Sequence, residues 1–192
     1  MTLEVAFADE AYDATSEIYV TGGVIVDRAA IAVLLISMDA ERRQPPVRDK
    51  KPFHWRNATV GRKLGFLAIT VVSHNLAVYG VVKERVTAGQ QEAAREACLG
   101  RLVAEIAAAG ASEIILDMRD TKGKNFLDNR TIGRLRGSGT MPARMTSRFD
   151  YPTNEPLLRV ADAISGATVA AVAVLDTQFI QPLRTLKICL VP

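Results

Sequence analysis

Cysteine and histidine are scarce in this sequence: there are two of each in 192 residues. Cys98 falls in a helical pattern and Cys189 lies near the end, with no Cys-x-x-Cys spacing and no histidine nearby. That excludes a disulfide framework or a thiolate metal cage, and it predicts two core thiols in a reduced, cytoplasmic protein. Long apolar runs are missing too. The best, Val24 to Ile36, is broken by Asp27 and Arg28, well short of the ~18 uninterrupted residues of a membrane helix. The N-terminus shows no secretory pattern, so an unexported chain without a membrane partner is expected. Nor is there a Gly-rich phosphate loop of the Walker type, which argues against a nucleotide-dependent phosphotransfer enzyme.

A chain of this length with 48% hydrophobic residues suits one domain, large enough to bury a core without covalent staples. The net charge of +3 says little, but its distribution says more. From Lys122 to Arg148 stand Lys122, Lys124, Arg130, Arg134, Arg136, Arg144 and Arg148 against the single acid Asp128, a local +6 that leaves −3 for the remainder. Cations beside an acidic cluster are what a phosphodiester-handling protein needs, the cations for phosphates and the carboxylates for metal. A solvated Arg-rich loop accounts for the run equally well.

The acids are placed by the strands. Leu3 to Glu10 reads as a short strand buried on both faces, ending in Asp9 and Glu10, at the edge where open α/β sheets collect their ligands. A solvated turn is the plainer reading of that pair taken alone. Glu17 to Val26 reads as a second strand in an antiparallel hairpin, with Gly22 and Gly23 marking either a bulge or a close backbone approach. Arg28 to Met38 suits a short helix, and Gln44 to Pro52 a mobile connection. Lys51 to Arg56 then brings His54 and the only tryptophan, Trp55, to the start of a helix over about 58–74. His54 has two readings, contact with a scissile phosphate or a metal-bound water, or a bond to backbone. Phe53 and Trp55 read as core plugs rather than base-stacking residues, and His74 as a helix C-cap.

Leu76 to Glu84 reads as a strand, Gln91 to Ala109 as a helix, and Glu113 to Asp117 as a buried strand that again ends in an acid, with Asp120 beyond it. If the first strand and this one are parallel neighbours, Asp9 and Asp117 stand about one strand spacing apart, ~5 Å. Carboxylates that close repel unless a proton or a metal lies between them. Ala143 to Phe149 suits an edge strand. Thr153 to Pro156 reads as a helix cap with proline in the first turn, leading into an apolar helix over 157–175. Asp162 falls on the apolar face of that helix, one turn from Leu158 and Gly166, and is expected to point inward rather than to pair with Arg159 on the surface.

Ala8-Asp9-Glu10, Phe53-His54-Trp55, Ile115-Leu116-Asp117 and Pro156 to Ile164, in that order, resemble a family known as domain of unknown function 3800, in the ribonuclease H-like superfamily. The last segment is the most specific, and Ala11-Tyr12 departs from the small residue and glycine that many members carry there. The resemblance implies a single ribonuclease H-like α/β domain over 1–192, with a mixed central sheet flanked by helices. It implies catalytic residues Asp9, Asp117 and Asp162, with Glu10 and Asp120 as additional acids; His54 joins the catalytic candidates through the phosphate or metal-water contact read above. Oxygen-only ligands at Asp9, Asp117 and Asp162 favour Mg²⁺ or Mn²⁺ over Zn²⁺. The expected activity is that of a metal-dependent nuclease acting on RNA or DNA through a metal-activated water. Lys122, Lys124, Arg134, Arg136 and Arg148 are then the substrate-binding cations. The alternative is a nucleic-acid-binding or interaction module that keeps the fold and no longer cuts; a homo-oligomer or a regulatory partner stays open.

Overall fold

The computed structural model describes residues 4–43, 52–72, 74, 76–119 and 124–192. Residues 44–51 of the expected mobile connection, Asp120 and Lys122 lie outside them, as does the side chain of Lys124. Six strands form one mixed sheet: β1 (Glu4–Asp13), β2 (Ile18–Asp27), β3 (Ala77–Lys83), β4 (Glu113–Asp117), β5 (Thr146–Asp150) and β6 (Leu186–Leu190), in the spatial order β5-β4-β1-β2-β3-β6. β1, β2 and β3 form an antiparallel meander, β4 and β5 lie parallel beyond β1, and β6 lies parallel beyond β3. The α/β class with a mixed, helix-flanked sheet is as expected, and it is compatible with a ribonuclease H-like arrangement.

Period-two alternation divides the sheet between two helical layers. Val5 and Phe7 of β1, Val24 and Val26 of β2, and Ile115 of β4 pack with α1 (Ile31–Arg43), α2 (Val60–Leu67) and α5 (Leu158–Ala173). Ala6 and Ala8, Ile25, Ile114 and Leu116 pack on the other side with α3 (Gln91–Ala108) and Ile132 of α4 (Lys124–Gly137). α5 is buried nearly all round its circumference, which is why its sequence is apolar without a clear polar face. Among the described residues, no helix is long and apolar enough to cross a membrane. Both cysteines are buried thiols, and burial pushes Cys98 up to about 12.

Several expectations are corrected. β1 does not stop at its acids; it stays paired with β2 from Glu4↔Asp27 to Asp13↔Ile18, and the turn beyond is closed by the Asp13 carboxylate accepting from Ser16 N at 3.2 Å. The pairing is continuous, so Gly22 and Gly23 mark no bulge but a close approach: a Cβ on Gly22 would lie 2.4 Å from Ser165 Oγ and 2.6 Å from Ser165 N. Much of the basic stretch is the helix α4 rather than a loop. The start of α5 has no side-chain cap; Leu157 precedes it, and a tight turn in which Leu158 N donates to Glu155 O (3.1 Å) takes the place of a Thr153 cap. His74 meets Ser37 Oγ at 3.1 Å.

Candidate active site

The parallel pairing of β1 with β4 ends at Ala8↔Leu116. Asp9 and Asp117 are the next residues of the two strands, each two positions beyond a residue of the α5-facing layer, Phe7 and Ile115. Both carboxylates therefore leave the sheet on the face that α5 covers. Asp162 comes to them from α5, and all three line one cleft of about 380 Å³ together with His54, Asn57, Arg62 and Arg159.

A small-residue contact seats α5 there. Ser165 Oγ donates to the backbone carbonyl of Asp9 (2.8 Å) and accepts from Gly22 N (2.8 Å), opposite Asp9 in the β1–β2 ladder. Gly80, paired with Gly22, leaves room for Thr168 one turn further on. On the outer side of α5, Gly166 admits the Trp55 ring, which packs edge-on against Phe179 at 5.0 Å, while Phe53 stacks on Phe66 at 3.8 Å. The aromatics are core plugs, as expected, and they fix the segment that carries His54.

Asp162 Oδ2 accepts from Trp55 N at 2.8 Å and lies 3.3 Å from His54 Nδ1. His54 thus bonds a carboxylate, not backbone, and that hydrogen bond raises its pKa above the ordinary 6.5 against the opposing effect of partial burial. Asp9 is raised well above the usual carboxylate range, first by burial, then by the charges of Asp117 and Asp162, with Arg95 pulling the other way. A carboxyl held up by two neighbouring carboxylates is a site with surplus negative charge.

Glu10 is not part of this cleft. Adjacent to Asp9 on one strand, it leaves the opposite face and pairs with Arg95 of α3, which also grips Asp128 of α4 through Nε (2.7 Å) and Nη2 (3.0 Å). The expected phosphate-binding arginines also lie elsewhere. Arg134 pairs with Glu96 at 2.5 Å, and Arg136 donates to Ser147 Oγ at 3.2 Å. Arg148 reaches Glu113 (3.2 Å), Asp150 (2.5 Å) and Glu155 (2.8 Å). None of the three lines the cleft. The arginines that line it are Arg62, which the sequence does not single out, and Arg159, which the sequence raises only as a surface partner for Asp162. Standing three residues before Asp162, Arg159 shares its helix face and so reaches the same cleft.

The donor set of Asp9, Asp117 and Asp162 is all oxygen and carries excess charge, which suits Mg²⁺ or Mn²⁺. Among the described residues, no three His, Cys, Asp or Glu side chains stand as a ready-made metal-binding group. Neither a family model nor a curated protein matches the chain.

Proposed function

We propose that the chain is a metal-dependent nuclease, with Asp9, Asp117 and Asp162 holding Mg²⁺ or Mn²⁺ and the cleft between β1, β4 and α5 taking a phosphodiester. The observation that carries this reading is the Asp9 carboxyl, raised by burial and then by Asp117 and Asp162, all three lining one cleft with two arginines. Such a cluster is destabilised by its own charge and relieved by a cation. A bound divalent ion supplies Lewis acidity to the phosphoryl group and lowers the pKa of the attacking water. The chain's own residues do the rest. Arg159 and Arg62 hold non-bridging phosphate oxygens, and His54, whose pKa Asp162 raises, donates a hydrogen bond in its protonated form to the phosphate or to the leaving oxygen. Water adds to phosphorus, the bond to the leaving oxygen breaks, and that oxygen takes up a proton.

The test is cleavage of single- and double-stranded RNA and DNA by the parent and by Asp9→Asn, Asp117→Asn and Asp162→Asn, with Mg²⁺ or Mn²⁺ present. Residues that merely support metal ligands are commonly worth about 10–100-fold, so each of these changes is expected to cost more than about 100-fold while the circular dichroism spectrum is kept. Full activity in any two of the variants overturns the assignment. A parent that binds nucleic acid with Mn²⁺ and cuts none points instead to the binding module on the same fold.

A further inference from the structure

Beside the acidic cleft lies a second recess of about 290 Å³, walled by Leu35, Met38, Asp39 and Glu41 of α1, Phe66 of α2, and Pro156. The two share Pro52, Phe53 and Arg159, so Arg159 stands on the boundary between the carboxylate cluster and a recess whose floor is largely apolar with Asp39 and Glu41 at its wall. We propose that this recess receives an unstacked nucleobase of the strand whose phosphate enters the acidic cleft, which makes the substrate class single-stranded or locally unpaired nucleic acid. The inference rests on the reading of the acidic cleft as a phosphodiester site and adds the form of the substrate to it.

Three observations carry the argument. The recess is at the lower end of the size range of ligand pockets, which suits a flat heterocycle rather than a protein side-chain cluster. Its boundary residue is a guanidinium, and a cation between a base-sized hollow and a carboxylate cluster matches the alternation of base and phosphate along one strand. In its wall, Glu41 is only 4% exposed; Oε1 accepts from Arg62 Nε at 3.0 Å, while Oε2, buried, has no hydrogen-bond partner among the described residues. An unmatched buried acceptor is costly, and every nucleobase carries an N–H donor on the edge it uses for pairing. That edge is available only when the base is unpaired, as in the recognition of splayed single strands. A duplex keeps its bases stacked and its pairing edges occupied, so it would offer the recess nothing.

The test uses the full parent chain, with Ca²⁺ in place of Mn²⁺ so that an all-oxygen site is filled while cleavage is slowed, and a short fluorescein-labelled oligonucleotide followed by anisotropy. Single strands are expected to bind more tightly than the duplex of the same sequence. One abasic residue, walked along the strand, is expected to weaken binding sharply at a single position, since base contacts of this kind are worth roughly fivefold to a hundredfold. Adding Leu35→Trp, at a half-buried position where the indole would fill the hollow, is expected to erase that position dependence. Affinity that is indifferent to the abasic walk, or equal for duplex and single strand, overturns the base site and leaves the acidic cleft's assignment standing. If the parent and the variant bind no nucleic acid of any form, the reading of the cleft falls and this inference with it.

Discussion

Asp162 serves two donors with one oxygen: Trp55 N and His54 Nδ1 both approach Oδ2. The backbone bond fixes the segment entering α2, and the imidazole bond raises the pKa of His54. Because the folded pKa of His54 is raised, its pairing with Asp162 contributes in full below the unfolded value near 6.5 and is lost as pH rises through the folded value. The side chain is 60% exposed, so solvent screens the pair and its effect on stability is small. Titration is the sensitive readout. In ¹H–¹⁵N spectra of the imidazole, His54 is expected to titrate above 6.5 in the parent and at a lower pH in Asp162→Asn. Equal midpoints in the two proteins would mean that the histidine is protonated independently of the acid, and its role as a charged donor would lose its basis.

At the scale of elements, the site depends on how closely α5 lies on the meander. Gly22 meets Ser165 and Ala161 of α5, and a Cβ there would fall 2.6 Å from a backbone nitrogen and 2.9 Å from a backbone carbonyl oxygen, neither of which can swing away. Gly22→Ala is expected to cost roughly 1–3 kcal/mol, as overpacking does, and also to weaken Mn²⁺ binding, because the shift it forces on α5 carries Asp162 away from Asp9. Urea denaturation and Mn²⁺ titration check the two effects; lost stability with unchanged Mn²⁺ affinity would separate helix seating from the site. This contact was legible in the sequence only as a pair of glycines inside a strand pattern, with the choice between bulge and close approach left open. The strands that place Asp9 and Asp117 were legible, because each is a short apolar run and a helix between two such runs implies parallel pairing. Glu10 was misplaced because β1 was ended too early: on a strand that continues, neighbouring residues face opposite ways. α4 was hidden because few of its residues are buried, Asp128 and Thr131 among them, so its buried positions carry no apolar period. β6 was unread because it is an edge strand whose Ile188 and Leu190 stay exposed.

Across the whole molecule, the concentration of charge in the sequence and the placement of charge in the fold differ. The arginines singled out from the basic stretch are engaged away from the cleft, Arg134 by Glu96 and Arg148 by three acids, while the arginines that line the cleft come from α2 and α5, Arg62 among them with its own bond to Glu41. Arg159→Ala is therefore expected to flatten the salt dependence of nucleic-acid binding by ~0.7 to 0.9 in log-log slope, and Arg136→Ala to leave it unchanged; the reverse pattern would return the substrate path to α4. The acidic cluster has its own signature in the stability of the metal-free protein. A carboxyl whose folded pKa is raised binds its proton more tightly folded than unfolded, so its contribution to stability falls as pH rises from the ordinary carboxylate range through the folded value. Asp9 is such a group, and Asp117 is the larger of the two charges that raise it. In EDTA at neutral pH, Asp117→Asn is expected to melt above the parent, because one of the repelling charges is gone. Towards pH 4 the gap closes, because Asp9 holds its proton in both proteins. For a domain of this size ~1 kcal/mol of relieved repulsion corresponds to roughly 2 to 4 °C. Mn²⁺ reverses the order: it raises the parent's melting temperature by binding only the folded state and scarcely moves the variant. A structural hydrogen-bonding role for Asp117 predicts the opposite sign in EDTA and no response to Mn²⁺, so one pair of melts at two pH values, with and without the ion, separates a metal site from a scaffold.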